Sequence, residues 1–167
     1  MCGIFGVISG TRSQFDISLV SKIIQKLFIL SESRGKEASG FALRKSESIE
    51  IYKSAEPASV LINSDEYRKC ISDVGNSIHP QFAFIGHSRL VTNGNQLENN
   101  NNQPVVKDNF IGVHNGIVCN VDDIWSSHSE LKRSYEVDTE IILSLLNEEL
   151  KGTKKYSLAL YNVFNKI

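Results

Sequence analysis

Residues 1–8 are MCGIFGVI, so a cysteine is followed at once by a short apolar run. This run predicts a buried strand over residues 4–8, because only Gly6 interrupts its apolar side chains. Removal of Met1, which a small second residue permits, would leave Cys2 with a free α-amino group beside its thiol. An α-amine with a pKa of about 7.7–8.0 is a base close to neutral pH, whereas a thiol with a pKa of about 8.5 needs such a base. The start of the chain therefore predicts a nucleophile that carries its own base and is fixed by a strand.

Strands and helices are mixed along the rest of the chain. Asp16 is placed to cap a helix whose apolar residues recur every four positions as far as Phe28. Further helices are predicted over residues 65–74 and 139–150. Further strands are predicted over residues 40–45, 48–53, 81–86, 110–114 and 156–163. Strands outnumber helices without regular βαβ alternation, which predicts an α+β fold with layered sheets.

Composition limits the class of protein. The length of 167 residues suits one domain over 1–167, and a net charge of −1 argues against a protein that coats nucleic acid. The sequence contains no apolar run of the roughly 20 residues that a membrane span needs, and its start lacks the features of a secretory signal. Three cysteines without CxxC or HxxxH spacing indicate neither a disulfide framework nor zinc. We therefore expect a reduced, cytoplasmic chain without metal or cofactor, and no nucleic-acid or membrane partner.

Polar residues directly after predicted strands are candidates for chemistry. Arg89 can present its guanidinium to a carboxylate, although a surface arginine in a loop is the alternative. The side-chain amide of Asn115 and the backbone N–H of Gly116 can converge on one oxygen, although His114-Asn115-Gly116 is also an ordinary tight turn. Asp138 can face a substrate ammonium group or cap the helix that follows it. The Asn-rich stretch nearby predicts a loop, with residues 99–101 solvated at the surface.

These candidates are more informative together than singly. They comprise a thiol with its own base, two donors for an oxyanion, a cation for a carboxylate and an anion for an ammonium group. L-glutamine, with an α-amino acid head and a scissile side-chain amide, matches all four. The residues therefore point to glutamine as the substrate.

Seven short motifs, in order along the chain, resemble the class II glutamine amidotransferases, whose glutaminase domains are N-terminal-nucleophile hydrolases. The motifs are residues 2–6 (CGIFG), 33–35 (SRG), 38–40 (ASG), 87–89 (HSR), 102–104 (NQP), 114–116 (HNG) and 138–140 (DTE). The resemblance implies a four-layer αββα sandwich. It also implies that Cys2 is the nucleophile, that its α-amine is the base, and that Asn115 and the Gly116 amide form the oxyanion hole.

The same resemblance assigns the binding residues. Arg89 and Asp138 would hold the carboxylate and the amine of glutamine, with help from Thr92 and Gly116. Arg34 would order the N-terminal strand and the entrance to the site. No single subgroup is indicated, because residues 89–90 and 137–143 are more like asparagine synthetases, whereas residues 34–40 are more like the sugar and phosphoribosyl enzymes.

Because free ammonia is rarely the end product of such domains, the resemblance implies an ammonia-accepting synthase domain or partner subunit. Related domains continue beyond the segment equivalent to 156–163 into further strands, so we expect a C-terminal truncation relative to them. Two other functions remain open. One is hydrolysis of another amide on the same fold, and the other is a catalytically silent binding module, which retention of Met1 would favour because the base would then be missing.

Overall fold

A computed structural model describes residues 2–10, 16–45, 48–75, 81–91 and 94–167. Within these ranges the elements are β1 (Gly3–Ser9), α1 (Ile17–Glu32), β2 (Ala38–Arg44), β3 (Ile49–Ser54), α2 (Ala58–Leu61), α3 (Asp65–Gly75), β4 (Phe82–Arg89), a 3-10 turn (Asn99–Asn101), β5 (Val105–Lys107), β6 (Phe110–Gly112), α4 (Val121–Ser127), α5 (Thr139–Gly152) and α6 (Tyr156–Phe164). None of the helices in the described ranges has both the length and the apolar character needed to cross a membrane.

The larger sheet has four antiparallel strands in the order β1-β4-β2-β3. Its register pairs Gly3 with Ser88 and Ala38 with Arg89. Because neighbouring antiparallel strands run in opposite directions, the start of β1 and the end of β4 meet at one edge of the sheet. This topology brings Cys2 next to the residues that follow Arg89, although the two segments are far apart in the sequence.

Helix α1 forms as its sequence pattern predicts. The Asp16 side chain caps it by accepting a hydrogen bond of 2.8 Å from the backbone N–H of Ser18. Val20, Ile24 and Phe28, spaced four residues apart, are its large buried side chains, and they pack against the four-stranded sheet. The end of this helix therefore supports the strand that carries Cys2.

Phe28 is the centre of an aromatic cluster and is fully buried. Its ring lies edge-on to Phe5 at 4.8 Å and to Phe84 at 6.0 Å. We expect Phe28→Ala to lower the free energy of unfolding by about 3–5 kcal/mol, because it removes a large ring from a packed core. Chemical denaturation should show this loss, whereas Leu19→Ala on the exposed side of α1 should change stability by less than about 0.5 kcal/mol. Equal effects of the two substitutions would contradict this description of the core.

A smaller sheet and its helices are formed by the C-terminal part of the chain, residues 105–164. Strands β5 and β6 form a two-stranded antiparallel sheet against which α5 packs, and α4 and α6 pack on α5. The buried residues of this core are Val118, Ile124, Ile141, Leu145, Leu146, Ala159 and Val163. Helices α1 to α3 pack on the four-stranded sheet and α5 packs on the two-stranded sheet, so antiparallel sheets and helices form layers. The predicted fold class is thus confirmed.

The prediction of a strand over residues 156–163 is wrong, because this segment is helix α6. A continuous apolar run does not distinguish a strand from a helix by itself. Within the run, Ala159 and Val163 are fully buried and four residues apart, whereas Tyr156 and Tyr161 remain exposed. The spacing of the buried pair is helical, and packing of that face against α5 decides the conformation.

Candidate active site

Cys2 stands immediately before β1, and three segments contact it. Its Sγ lies 3.4 Å from the backbone nitrogen of Leu90, whose N–H donates to it, and 3.5 Å from the carbonyl oxygen of the same residue. Arg34 donates from Nε to the Cys2 carbonyl oxygen at 3.0 Å. At the next position, a Cβ on Gly3 would lie 2.6 Å from the Cβ of Ser31, so a side chain does not fit there. The cysteine is therefore held both by β1 and by the loop that follows β4.

Asn115 follows β6 and is hydrogen-bonded to the same cysteine. The backbone nitrogen of Cys2 donates to Asn115 Oδ1 at 3.0 Å, across 113 positions of sequence. The Asn115 Nδ2 group and the Gly116 N–H donate to no group in the described part of the chain. A Cβ on Gly116 would lie 2.6 Å from Nε2 of His114, so a side chain there would displace the His114 ring. The turn thus carries two N–H donors that no described acceptor uses, and its Asn115 side chain contacts Cys2.

Gln103 fixes this turn, a role that its place in the Asn102-Gln103-Pro104 motif did not reveal. Its Nε2 donates to the carbonyl oxygen of His114 at 3.0 Å, and its Oε1 accepts from the backbone N–H of the same residue. Nε2 also contacts Thr139 Oγ1 at 3.3 Å. The buried Gln103 side chain therefore joins the His114-Asn115-Gly116 turn to Thr139, the first residue of α5.

Arg89 is buried, with 4% of its surface exposed, which rules out the alternative of a surface arginine. One terminal nitrogen donates to Asn102 Oδ1 at 2.6 Å and the other to the Gly94 carbonyl oxygen at 3.0 Å. Burial lowers the pKa of Arg89, while the nearby Cys2, Glu37 and Asp138 favour its charged form. Because a guanidinium keeps its proton in proteins, Arg89 supplies a fixed positive charge at this site.

Asp138 is also buried and stands at the N-cap position of α5, but its side chain does not cap the helix. Instead, Oδ2 accepts a hydrogen bond of 2.9 Å from the backbone N–H of Val118. Its other oxygen lies 3.7 Å from Nδ1 of His114. Burial alone would raise the pKa of Asp138, but the neighbouring His114 ring and the Val118 N–H outweigh it and hold the pKa below its ordinary value. Asp138 is therefore an anion whose side chain faces His114 and Val118, away from the helix end.

His87, one residue of the HSR motif, lies fully buried in β4. Burial, followed by the positive charge of Arg89, lowers the pKa of His87 to about 3. The imidazole is therefore neutral at physiological pH, and it adds no charge to the site.

The Asn-rich stretch only partly follows its prediction. Asn99 and Asn100 are exposed, as expected of a loop, but Asn101 is buried with 4% of its surface exposed. The expectation of a solvated surface loop is thus wrong for Asn101, because its amide makes hydrogen bonds inside the protein. Thr92, the remaining predicted binding residue, lies outside the described residues.

The predicted site residues fall into two connected groups. Cys2, Arg34 and Asn115 line one cleft of about 290 Å³, together with Leu27 and Leu30 of α1. Arg89 and Asp138 form the second group, because the charge of Asp138, like that of Cys2, favours the charged form of Arg89. The described residues thus include a thiol in contact with the His114-Asn115-Gly116 turn, a buried cation and a buried anion. Such a set defines an N-terminal-nucleophile hydrolase.

Comparison with known proteins finds relatives that match along most or all of the chain. No protein-family model matches the chain. Glutamine–fructose-6-phosphate aminotransferase (isomerizing) of Thermococcus kodakarensis is 29% identical over 174 residues, covering 100% of this chain and 26% of the relative. The enzyme of the same name from Thermotoga maritima is 31% identical over 155 residues, covering 91% of this chain and 23% of the relative. The chain thus spans about a quarter of the length of the curated relatives it matches.

A solved structure of glutamine phosphoribosylpyrophosphate amidotransferase from B. subtilis matches 98% of this chain and 32% of its own, with a TM-score of 0.66 and 19% identity. At that identity the likeness shows the fold. Together with the sequence relatives, it confirms the resemblance to the class II glutamine amidotransferases that the ordered motifs predict.

Proposed function

We propose that the chain is a glutaminase domain, which hydrolyses L-glutamine to glutamate and ammonia through a γ-glutamyl thioester on Cys2. The observation that carries this proposal is the hydrogen bond of 3.0 Å from the Cys2 nitrogen to Asn115 Oδ1. This contact supports the proposal because the nitrogen that would become the base then lies beside the turn His114-Asn115-Gly116, which we call the oxyanion turn for its proposed role. Nucleophilic catalysis requires this proximity of nucleophile, base and oxyanion donors.

The reaction begins when the α-amine of Cys2, freed by removal of Met1, takes the thiol proton. The Sγ then attacks the side-chain amide carbon of glutamine, and the C=O electron pair moves onto oxygen. Asn115 Nδ2 and the Gly116 N–H then donate to that oxyanion. The protonated amine gives its proton to the departing nitrogen, so that ammonia leaves as the C–N bond breaks and the thioester forms.

Water completes the cycle. The α-amine, now neutral again, takes a proton from a water molecule, whose oxygen attacks the thioester carbon. The C–S bond breaks, the Sγ recovers its proton, and glutamate is released. Both steps pass through the same oxyanion turn, which explains why one pair of donors is sufficient.

Substrate recognition rests on the two buried charges. We assign the α-carboxylate of glutamine to Arg89 and its α-ammonium to Asp138, with Thr92 and Gly116 contributing. The lowered pKa of Asp138 supports this assignment, because the carboxyl stays ionised well below neutral pH. Arg34, which holds the Cys2 carbonyl oxygen, orders the nucleophile at the entrance.

We further propose that the ammonia passes to a synthase domain or a partner subunit. The relatives are named for aminotransfer to fructose 6-phosphate, and the chain corresponds to about a quarter of their length. Stimulation of glutamine hydrolysis by a co-purifying synthase would support this coupling.

A glutamine-like electrophile tests the nucleophile directly. We expect diazo-oxo-norleucine to add once per chain, on Cys2, in protein that intact-mass measurement shows to lack Met1. Label stoichiometry and peptide mass spectrometry would measure this, alongside release of glutamate and ammonia from glutamine. Cys119→Ala is the matched control, because Cys119 is an exposed thiol whose hydrogen bond goes to the Ile117 carbonyl oxygen, and this variant should label as fully as the parent. Labelling that follows Cys119, or an unlabelled chain without Met1, would contradict the proposed function.

A further inference from the structure

One buried asparagine joins the two loops that carry the charges of the site. Asn101 Oδ1 accepts from the backbone N–H of Glu136 at 3.1 Å, and Asn101 Nδ2 donates to Glu136 Oε2 at 2.7 Å. The same carboxylate oxygen accepts from the backbone N–H of Asn95 at 3.1 Å. The oxygen and the nitrogen of the Asn101 amide thus both form hydrogen bonds to Glu136 in the other loop. Because only 4% of Asn101 is exposed, water does not compete for these hydrogen bonds.

The first loop holds Arg89 on either side of Asn101. Arg89 donates to the Gly94 carbonyl oxygen and to Asn102 Oδ1. Gly94 has φ +76°, and a Cβ there would lie 3.1 Å from Cγ of Asn101, so the two residues are in close contact. Movement of Asn101 would therefore shift both of these groups to which Arg89 is hydrogen-bonded.

The second loop, residues 128–138, ends at Asp138, and hydrogen bonds to Glu140 hold its backbone. Glu140, which is fully buried, accepts the backbone N–H groups of Ser134 and Tyr135 at 2.8 and 2.7 Å. Lys107 balances its charge at 2.7 Å. Glu136 lies between these anchors and Asp138, so the position of its backbone determines where the Asp138 carboxylate stands.

We propose that the Asn101–Glu136 pair sets the spacing between Arg89 and Asp138 and thereby selects substrates that carry both an α-carboxylate and an α-ammonium group. The two residues are positioning residues, because they act through the charges on either side. This inference rests on the proposed function. The inference extends the proposed function by naming the residues that restrict the site to substrates with an amino-acid head. A misplacement of about 1 Å between the two charges is enough to lose the contact with one end of that head.

The pair can be tested without turnover in a Cys2→Ala background, which retains the head-binding charges. Isothermal calorimetry would titrate L-glutamine and glutaramate, which keeps the carboxylate and the side-chain amide but lacks the α-amine. For Asn101→Ala and for Glu136→Ala we expect glutamine affinity to fall about tenfold, the size of one lost charge-assisted contact. In Glu136→Ala, which removes no group that Arg89 is bonded to, glutaramate affinity should change by less than about twofold, because that ligand never uses Asp138.

Two further variants complete the design. Glu136→Gln keeps an oxygen acceptor for Asn101 and should bind glutamine as the parent does. Asn100→Ala, an exposed neighbour in the same turn, is the matched control and should leave both ligands unaffected. Glu136→Ala changes an exposed side chain, so it keeps the test valid if Asn101→Ala fails to fold.

The outcomes separate the two proposals. Loss of discrimination between glutamine and glutaramate supports the inference. Parallel loss of both ligands in Glu136→Ala, or unchanged binding in both alanine variants, overturns the inference and leaves the glutaminase proposal standing. Absence of glutamine binding to the Cys2→Ala parent would contradict the proposed function itself, and with it the inference.

Discussion

Replacing Cys2 with alanine is expected to abolish glutamine hydrolysis, with a loss in kcat of at least about 10³-fold. Without Sγ no thioester can form, and the α-amine has no thiol from which to take a proton. The thiol lies 3.4 Å from the Leu90 backbone nitrogen and next to the oxyanion turn, so no other described thiol can take its place. Glutamate release measured enzymatically, with ammonia as the second product, would record this loss.

The same substitution should leave the fold and substrate binding intact. The alanine keeps the backbone nitrogen that donates to Asn115 and the carbonyl that accepts from Arg34. We expect an unchanged thermal midpoint, and glutamine binding within about threefold of the parent, because the head charges are untouched. The Cys119→Ala control should keep full activity. Hydrolysis by Cys2→Ala at more than a few per cent of the parental rate would exclude a thioester on Cys2.

Local patterns predict much of the fold. The strand after Cys2 and the helix capped by Asp16 depend on short-range features, namely an apolar run and a four-residue repeat after a capping carboxylate, and both form. Residues 156–163 fail the same kind of reasoning, because their apolar run suits a strand or a helix equally well. Packing of Ala159 and Val163 against α5 decides that case, and this contact is not local in sequence.

The site was predictable as a set of residue types but not as an arrangement. Arg89 and Asp138 were chosen for their charge, and nothing in the sequence indicates that Asn102 holds the first or that Val118 holds the second. Both partners come from loops, and each contact joins segments that are separated in the sequence. Asn101 illustrates the limit most clearly, since its position in an asparagine run predicts exposure, whereas its hydrogen bonds to Glu136 require burial.

Asn115→Ala should lower kcat by about 10²–10³-fold while KM for glutamine changes little. The substitution removes the Nδ2 donor assigned to the tetrahedral oxyanion, a charge that exists only in the transition state. It also removes the oxygen that accepts from the Cys2 nitrogen, so the base loses the contact that orients it. Steady-state glutamate release over a range of glutamine concentrations would separate kcat from KM.

Asn115→Asp distinguishes these two contributions and closes the test. Aspartate keeps an oxygen for the Cys2 nitrogen but places a negative charge where the oxyanion develops, so we expect it to be no more active than the alanine variant. Restored activity in Asn115→Asp would mean that orienting the base is the main role of Asn115. Asn109→Ala, in the exposed turn between β5 and β6, is the control and should retain parental kcat. Near-parental turnover of Asn115→Ala, or a rise in KM at unchanged kcat, would remove Asn115 from the oxyanion hole and leave Gly116 as the donor to be explained.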